Sequence, residues 1–554
     1  MLKKRVFVLM VGGLLLAWCG AAVAAQVDYL GYQNWGGTWS DAEKQWSRWS
    51  ECSLHCWAAT ASNNIQYTGW TPNTSLDDAD EIFRYYQDKW TNVGGWVEYG
   101  WNWWLSGINP GQGQPGLAQV DVTPSGGFYS QYTASNFWEM KNYQQTQEDL
   151  MAMVERTLKA GDGVGLWVYG PSSHAISCWG IKIDDSYAVG DKRRYLGLYI
   201  TDSDDNYMQE PAPDVMYYTP VGDNGTIVTW DLTEYRGGGY DLYGVQALER
   251  PVTHFNGGTA AWGTASNWDN ALPDTFLATY VDAGTAQING NVNVGKVYVG
   301  FAGTGVVTQA QNTFTATELH LGNKAGADGR YDIGGGTLNV SKIFVGEAGT
   351  GRFNVTNSGA TINISKSLEF GATTANYSAV ADTTLRFAND TAFKNAAKIT
   401  ANVAGLAETT FLFNGTGNSS INFFEVAGQD LGAIVDGFTN NFHIKGITIG
   451  GSGAATLKLV NDYINYNGTP PGTYSEALYV HNLIINSGST LNLNGFHLYC
   501  GTFTNYGSVI GGSVIVVQGG AGGLGDNPVI PEPTALLMIL PALLGLGTLI
   551  RRRR

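Results

Sequence analysis

Between Thr146 and Gly161 the apolar side chains Leu150, Met153, Val154 and Leu158 recur at helical spacing, after a capping-box-like Thr146 and Asp149 and before a terminating Gly161. A second helix is predicted over 76–90, with Ile82, Phe83, Tyr86 and Trp90 on one side. An earlier one starts at Cys56 and continues through the Ala-rich stretch to Tyr67. Three strand-like runs follow, over 164–168, 174–183 and 195–201. Helices first and antiparallel strands later predict an α+β domain.

Beyond residue 250 the text changes to Gly, Asn, Thr, Val and Ile in short alternating runs. VYVG at 297–300, LHLG at 319–322, IFVG at 343–346 and LEFG at 368–371 recur at spacings of 22, 24 and 25 residues. Glycine-rich AGTG, AGADG and AGTGR segments sit between them. One such unit cannot bury a face alone, but stacked units can, which predicts an all-β solenoid, with a β-sandwich array as the competing arrangement. No charged or histidine cluster recurs there at a metal or catalytic spacing, so the region reads as structural or adhesive.

Composition adds limits. A chain of 554 residues exceeds one ordinary core, so two or more domains are expected. With 74 glycines and 16 prolines, it reads as turn-rich β rather than collagen-like. A net charge of −16 repels phosphate backbones and argues against nucleic acid as a partner. Cys52, Cys56, Cys178 and Cys500 are too sparse for a disulfide framework, although one pair is permitted in an oxidising compartment.

Both ends carry targeting signals. Lys3, Lys4 and Arg5, the apolar run 6–18 and the small residues at 22–25 read as a signal peptide over 1–25, which predicts export. At the other end, Pro531-Glu532-Pro533 precedes an apolar run over 534–550 and then four arginines. As a helix that run spans roughly 25 Å, enough to enter a bilayer as a C-terminal transmembrane helix with the arginines on the cytoplasmic side. An ordinary membrane anchor has the same form. The three parts in this order resemble the PEP-CTERM sorting signal of exopolysaccharide-producing Gram-negative bacteria. That resemblance implies recognition and removal by an exosortase, transient anchoring in the inner membrane, and a destination at the cell surface or in an exopolysaccharide matrix. The expected layout is therefore a signal peptide over 1–25, an α+β domain over 26–250, repeats over 251–527 and the sorting segment over 528–554.

Candidate chemistry lies in the first domain, which has only two histidines, His55 and His174. In CSLHCWAATASNN, Cys56 opens a helix of small residues, where the macrodipole lowers a thiol's pKa. Taken alone, this motif reads as a buried, inert cysteine. His55 adjoins Cys56 with its side chain diverging. His174 heads a strand in HAISCWGIKIDD, sharing a face with Ile176 and Cys178. The next strand runs into Asp202, Ser203 and Asp204, where a carboxylate could orient the imidazole. Asp-Ser-Asp-Asp-Asn alone also reads as a solvated turn or a calcium-like loop.

CWAATASN, HAISCWG and YITDSD, in this order, resemble the IdeS/Mac family of papain-like cysteine peptidases, known for cleaving immunoglobulin G. The resemblance implies Cys56 as nucleophile, His174 as base, Asp202 as the residue orienting His174, and Asp204 as a supporting carboxylate. The segment Trp39-Ser40-Asp41-Ala42-Glu43-Lys44 looks like the family stretch whose lysine helps form the oxyanion hole, so Lys44 takes that role, with Arg48 or Gln45 as alternatives. Trp57 departs from the family, standing where the immunoglobulin-cleaving members have glycine. The stretch 185–194 also lengthens the hairpin before Asp202. The expected activity is hydrolysis of protein or peptide substrates through a thioester, with no metal or organic cofactor. The rival reading is a non-catalytic surface or matrix scaffold with a papain-like binding domain.

Overall fold

The computed structural model describes residues 26–519, apart from 73–74, 122–125, 145–147, 210, 227, 416–420 and 466–475. The expected signal peptide and the PEP-CTERM segment with its transmembrane helix lie outside the described residues. Among the described residues no helix is long and apolar enough to cross a membrane. The chain is mostly β with few helices. It divides into two compact units, one holding residues up to 256 together with 264–280, the other holding 257–263 and the residues from 281 onward.

The first unit begins with β1 (Gln26–Leu30), α1 (Gly31–Trp35), α2 (Trp49–Cys52), α3 (Cys56–Thr68), α4 (Ala79–Lys89) and α5 (Val97–Ser106). It continues with β2 (Trp138–Asn142), α6 (Leu150–Ala160), β3 (Gly163–Tyr169), β4 (Ser173–Asp184), β5 (Tyr195–Thr201), β6 (Tyr217–Asp223), β7 (Trp230–Leu232) and β8 (Tyr240–Leu248). The strands form one antiparallel sheet in the order β1-β4-β3-β8-β7-β6-β5, with β2 pairing to β8 beside this path, and β4 also pairs with β5, so the sheet curls back on itself. Asp149 caps α6 by accepting from the Met151 and Ala152 amides, and Gly161, at φ 92°, ends it. The helix predicted over 76–90 is shorter at both ends, because Asp78 caps it through the Asp80 amide and Trp90 is already extended. Helix α5 had no clear sequence signal, since its Trp-rich stretch is buried nearly all round.

In the second part, the described residues of 252–505 form a β-solenoid of about ten turns. Its rungs pair in parallel, apart from one short antiparallel pairing of Gly428 and Gln429 with Ala477 and Glu476, and this decides against a sandwich array. The four sequence repeats are successive rungs: Val297 pairs with Leu319, Leu319 with Ile343, and Ile343 with Leu368. All four side chains are fully buried, and stacking them removes from water the face that one repeat leaves bare. The glycine that ends each of the first three motifs turns the corner with positive φ, 66° at Gly300, 68° at Gly322 and 72° at Gly346.

Candidate active site

Helix α3 starts at Cys56 because His55 has non-helical backbone, and it stops at Gly69, which is left-handed. Its small residues Ala58, Ala59, Ala61 and Ser62 are buried, so the helix sits centrally against β3. A Cβ on Gly163 would meet the Asn64 Cβ at 2.7 Å, and one on Gly165 the Thr60 Cγ2 at 3.0 Å, so both glycines allow the close approach. Asn63 fixes the helix sideways, donating to Ser177 Oγ of β4 at 3.0 Å and accepting from the Ala42 amide at 2.9 Å. One buried side chain thus ties together the cysteine helix, the histidine strand and the segment that leads to Lys44.

At the start of β4, His174 is buried and Nε2 lies 2.7 Å from Asp202 Oδ1. Ile176 and Cys178, the residues expected on its face, enter the hydrophobic cluster shared with α6. Asp202 follows β5 directly and is almost fully buried. Its Oδ2 accepts from Tyr235 Oη at 2.8 Å and from Arg236 Nε at 2.9 Å, while Arg236 Nη2 donates to Oδ1 at 2.9 Å. Burial disfavours the charged carboxylate, but His174 and Arg236 outweigh it and hold the Asp202 pKa well below the carboxylate range. Arg236 itself has a left-handed backbone, φ 49°, in the turn before three glycines. Neither Tyr235 nor Arg236 emerged from sequence reasoning; the available signal was an arginine entering Gly237-Gly238-Gly239.

Cys56 and His174 line one cavity of about 260 Å³, with Gly95, Trp96, Leu117 and Trp167 among its walls. Burial raises the pKa of the Cys56 thiol, but the charge of His174, a hydrogen-bonding interaction with it, and the Lys44 charge bring it down to about 7. Burial lowers the pKa of His174, but the Cys56 thiolate and then Asp202 raise it to about 10. The pair favours thiolate with imidazolium. His55 differs. Burial lowers its pKa to about 4, and its Nε2 lies 2.8 Å from the Thr91 carbonyl, so it stays neutral and occupied.

The remaining expected residues are partly redirected. Asp204 lies 3.9 Å from His174 Nδ1 and 3.2 Å from Arg236 Nη2. Lys44 is buried, with Nζ 2.5 Å from Asp204 Oδ1 and 3.0 Å from the Ser53 carbonyl. Its charge reaches Cys56, yet its ammonium is already committed to those partners. Of the alternatives, Arg48 is engaged by Glu51 and Asp88 at 2.7 and 2.6 Å. The fully buried Trp57 packs its indole against Trp90 and Tyr86 and donates to the Val93 carbonyl at 3.2 Å. A Cβ on Gly95 would come within 2.8 Å of that indole, so Trp57 acts from beneath the cavity wall. All four described cysteines are free, so the one permitted pair is not formed, and Cys56 alone is only partly buried.

Among the described residues, two groups have donor sets that could hold a metal ion. In His174, Asp202 and Asp204, the Arg236 guanidinium already pairs with both carboxylates, and Lys44 pairs with Asp204 as well. The second comprises Asp41, Glu43 and Asp205. Burial first, then neighbouring carboxylates, raise Asp41 to about 7 and Glu43 to about 12. Compared with the known protein families and with curated proteins, the chain matches none.

Proposed function

We propose that the first unit is a papain-like cysteine endopeptidase of the IdeS/Mac type. The observation that carries this reading is the thiol of Cys56, at a helix N-terminus in a cavity, with its pKa drawn to about 7 by an imidazole that Asp202 holds from the other side. The Cys56 thiolate attacks a peptide carbonyl carbon. As the C–N bond breaks, His174 gives its proton to the leaving amine, and a thioester remains. Water then adds with His174 taking its proton, the C–S bond breaks, and a carboxylate leaves. The Cys56 backbone N–H at the start of α3 stabilises the oxyanion. Lys44 contributes positive charge from its place beside Asp204, since direct contact with the oxyanion requires it to leave that carboxylate. No step requires a metal or an organic cofactor.

The substrate proposed is an extracellular protein or peptide, because the signal-peptide pattern points to export. The PEP-CTERM pattern at 531–554 supports processing by an exosortase and placement in a surface matrix. The solenoid is proposed as the spacer that presents the enzyme, and by itself it also supports the rival reading of a surface scaffold. Incubating the full chain with a diverse peptide library separates the two. Cleavage by the wild type that Cys56→Ala abolishes is expected, and cleavage that survives the substitution removes the nucleophile.

A further inference from the structure

The geometry points to a hard divalent-cation site of the calcium class formed by Asp41, Glu43 and Asp205. One carboxylate oxygen from each residue lies within 4.8 Å of the others, the span that two oxygens about 2.4 Å from a calcium ion can cover. Proximity of acids alone does not make a site. Glu43 is only 5% exposed and Asp41 2% exposed, yet both Glu43 carboxylate oxygens and Asp41 Oδ1 have no hydrogen-bond partner outside the three carboxyls themselves. A carboxylate buried without a partner is among the costliest groups a fold can keep. Among the described residues, no lysine, arginine or histidine forms an ion pair with any of the three. The Asp41 Oδ2 accepts from the Val215 amide at 3.1 Å, which leaves Oδ1 toward the cluster. Asp205 is exposed, so the cluster opens to solvent on one side and water can complete the coordination.

The donors are all oxygens, which suits calcium rather than a thiophilic or imidazole-seeking metal. Of the Asp-Ser-Asp-Asp-Asn turn, only Asp205 serves this site, because Asp202 and Asp204 belong to Arg236. The segment holding Asp41 and Glu43 is joined to the turn by the Lys44 amide on the Ser203 carbonyl at 3.1 Å and the Trp46 amide on the Tyr207 carbonyl at 3.0 Å. A cation here clamps together the two segments that carry Lys44 and Asp204. This proposal does not depend on the peptidase reading, and neither readout below involves hydrolysis.

The test strips the full chain with EDTA, then titrates calcium chloride by calorimetry and follows thermal unfolding. One calcium per chain is expected, with a rise in Tm of about 5 °C or more at calcium a hundredfold above its Kd. Glu43→Gln, which keeps the shape and removes a charge, should bind calcium at least about tenfold more weakly and be no less stable than the wild type in EDTA. Asp205→Asn, at the exposed position, should lose the calcium response in the same way. No uptake by the wild type overturns the site and leaves three carboxyls sharing protons. A calcium shift equal in the wild type and both variants places the ion elsewhere and overturns it too.

Discussion

Each unit contains a histidine clasped by a carboxylate, and the two pairs are close in geometry. In the first unit His174 Nε2 lies 2.7 Å from Asp202; in the solenoid His320 Nδ1 lies 2.9 Å from Glu347. Their surroundings differ. His320 is stacked between Tyr298 and Phe344, each 4.5 Å away on the neighbouring rungs, and its second nitrogen faces Glu318 at 3.4 Å. Nδ1 and both faces hold one rung to the next, and Nε2 is taken up by Glu318 on its own strand. His174 spends one nitrogen on Asp202, and its charge acts on the Cys56 thiol at a cavity. A histidine–carboxylate pair is therefore chemistry only where something reactive remains beside it; elsewhere it is a strut.

The largest effect that separates the two pairs comes from the sulfur. Cys56→Ala should lower peptide hydrolysis on the order of a thousandfold or more, with thermal unfolding nearly unchanged. Hydrolysis retained in that variant makes His174 a strut like His320. Next comes Asp202→Asn, which leaves Arg236 without its main counter-ion and His174 without its orienting carboxylate. Removing one member of a buried charge network costs about 3–5 kcal/mol. A loss of that size in denaturant unfolding, together with a fall in hydrolysis of about a hundredfold or more, is expected. A stability change below about 1 kcal/mol would put Asp202 in the class of surface ion pairs.

How much of this was legible beforehand depended on repetition and on local context. The solenoid rungs could be read because one apolar-Gly motif recurs, and the registers fall at the spacings of the text. Cys56 and His174 could be singled out because the helix start and the strand start each carry a local pattern. Arg236 could not, since its partner Asp202 is 34 residues away and its turn signals only flexibility. The Asp41–Glu43–Asp205 cluster was hidden for the same reason, as its members meet only through pairing of distant segments. Lys44 was placed near the site by motif, but the partner that takes up its ammonium, Asp204, was visible only in three dimensions.

A third effect sharpens the contrast through pH. A thiol that ionises near 7 rather than near 9 holds about 100-fold more thiolate at any pH well below both values. Iodoacetamide should therefore modify Cys56 with a rate that climbs through about pH 7, read by mass spectrometry of the labelled peptide. Burial pushes Cys178 and Cys500 up to about 12, so neither should react in that range. Hydrolysis should rise along the same limb and fall above about pH 10, where His174 loses the proton that the leaving amine needs. The two limbs belong to the coupled pair rather than to either residue. Cys56 labelling that rises only near pH 9 would mean that His174 does not reach the sulfur.

The smallest effects lie in the solenoid, and they test whether its polar groups are struts at all. A methyl group on Gly322 would sit at φ 68° and clash with the Thr350 carbonyl oxygen. The left-handed conformation alone costs about 1–2 kcal/mol in a non-glycine residue, and the clash adds to it. Gly322→Ala should therefore lower the unfolding temperature of the repeats, followed by circular dichroism, while peptide hydrolysis stays as in the wild type. Glu347→Gln should cost less, about 1 kcal/mol or under, because the His320 ring keeps its stacked neighbours and the ion pair is partly exposed. The order matters more than either size. Backbone geometry repeats at every rung, whereas His320 and Glu347 occur once, so a corner glycine has to outweigh the histidine pair if the rungs hold the solenoid together. Should Glu347→Gln prove the more damaging, the His320–Glu347 pair would carry a role that stacking does not explain.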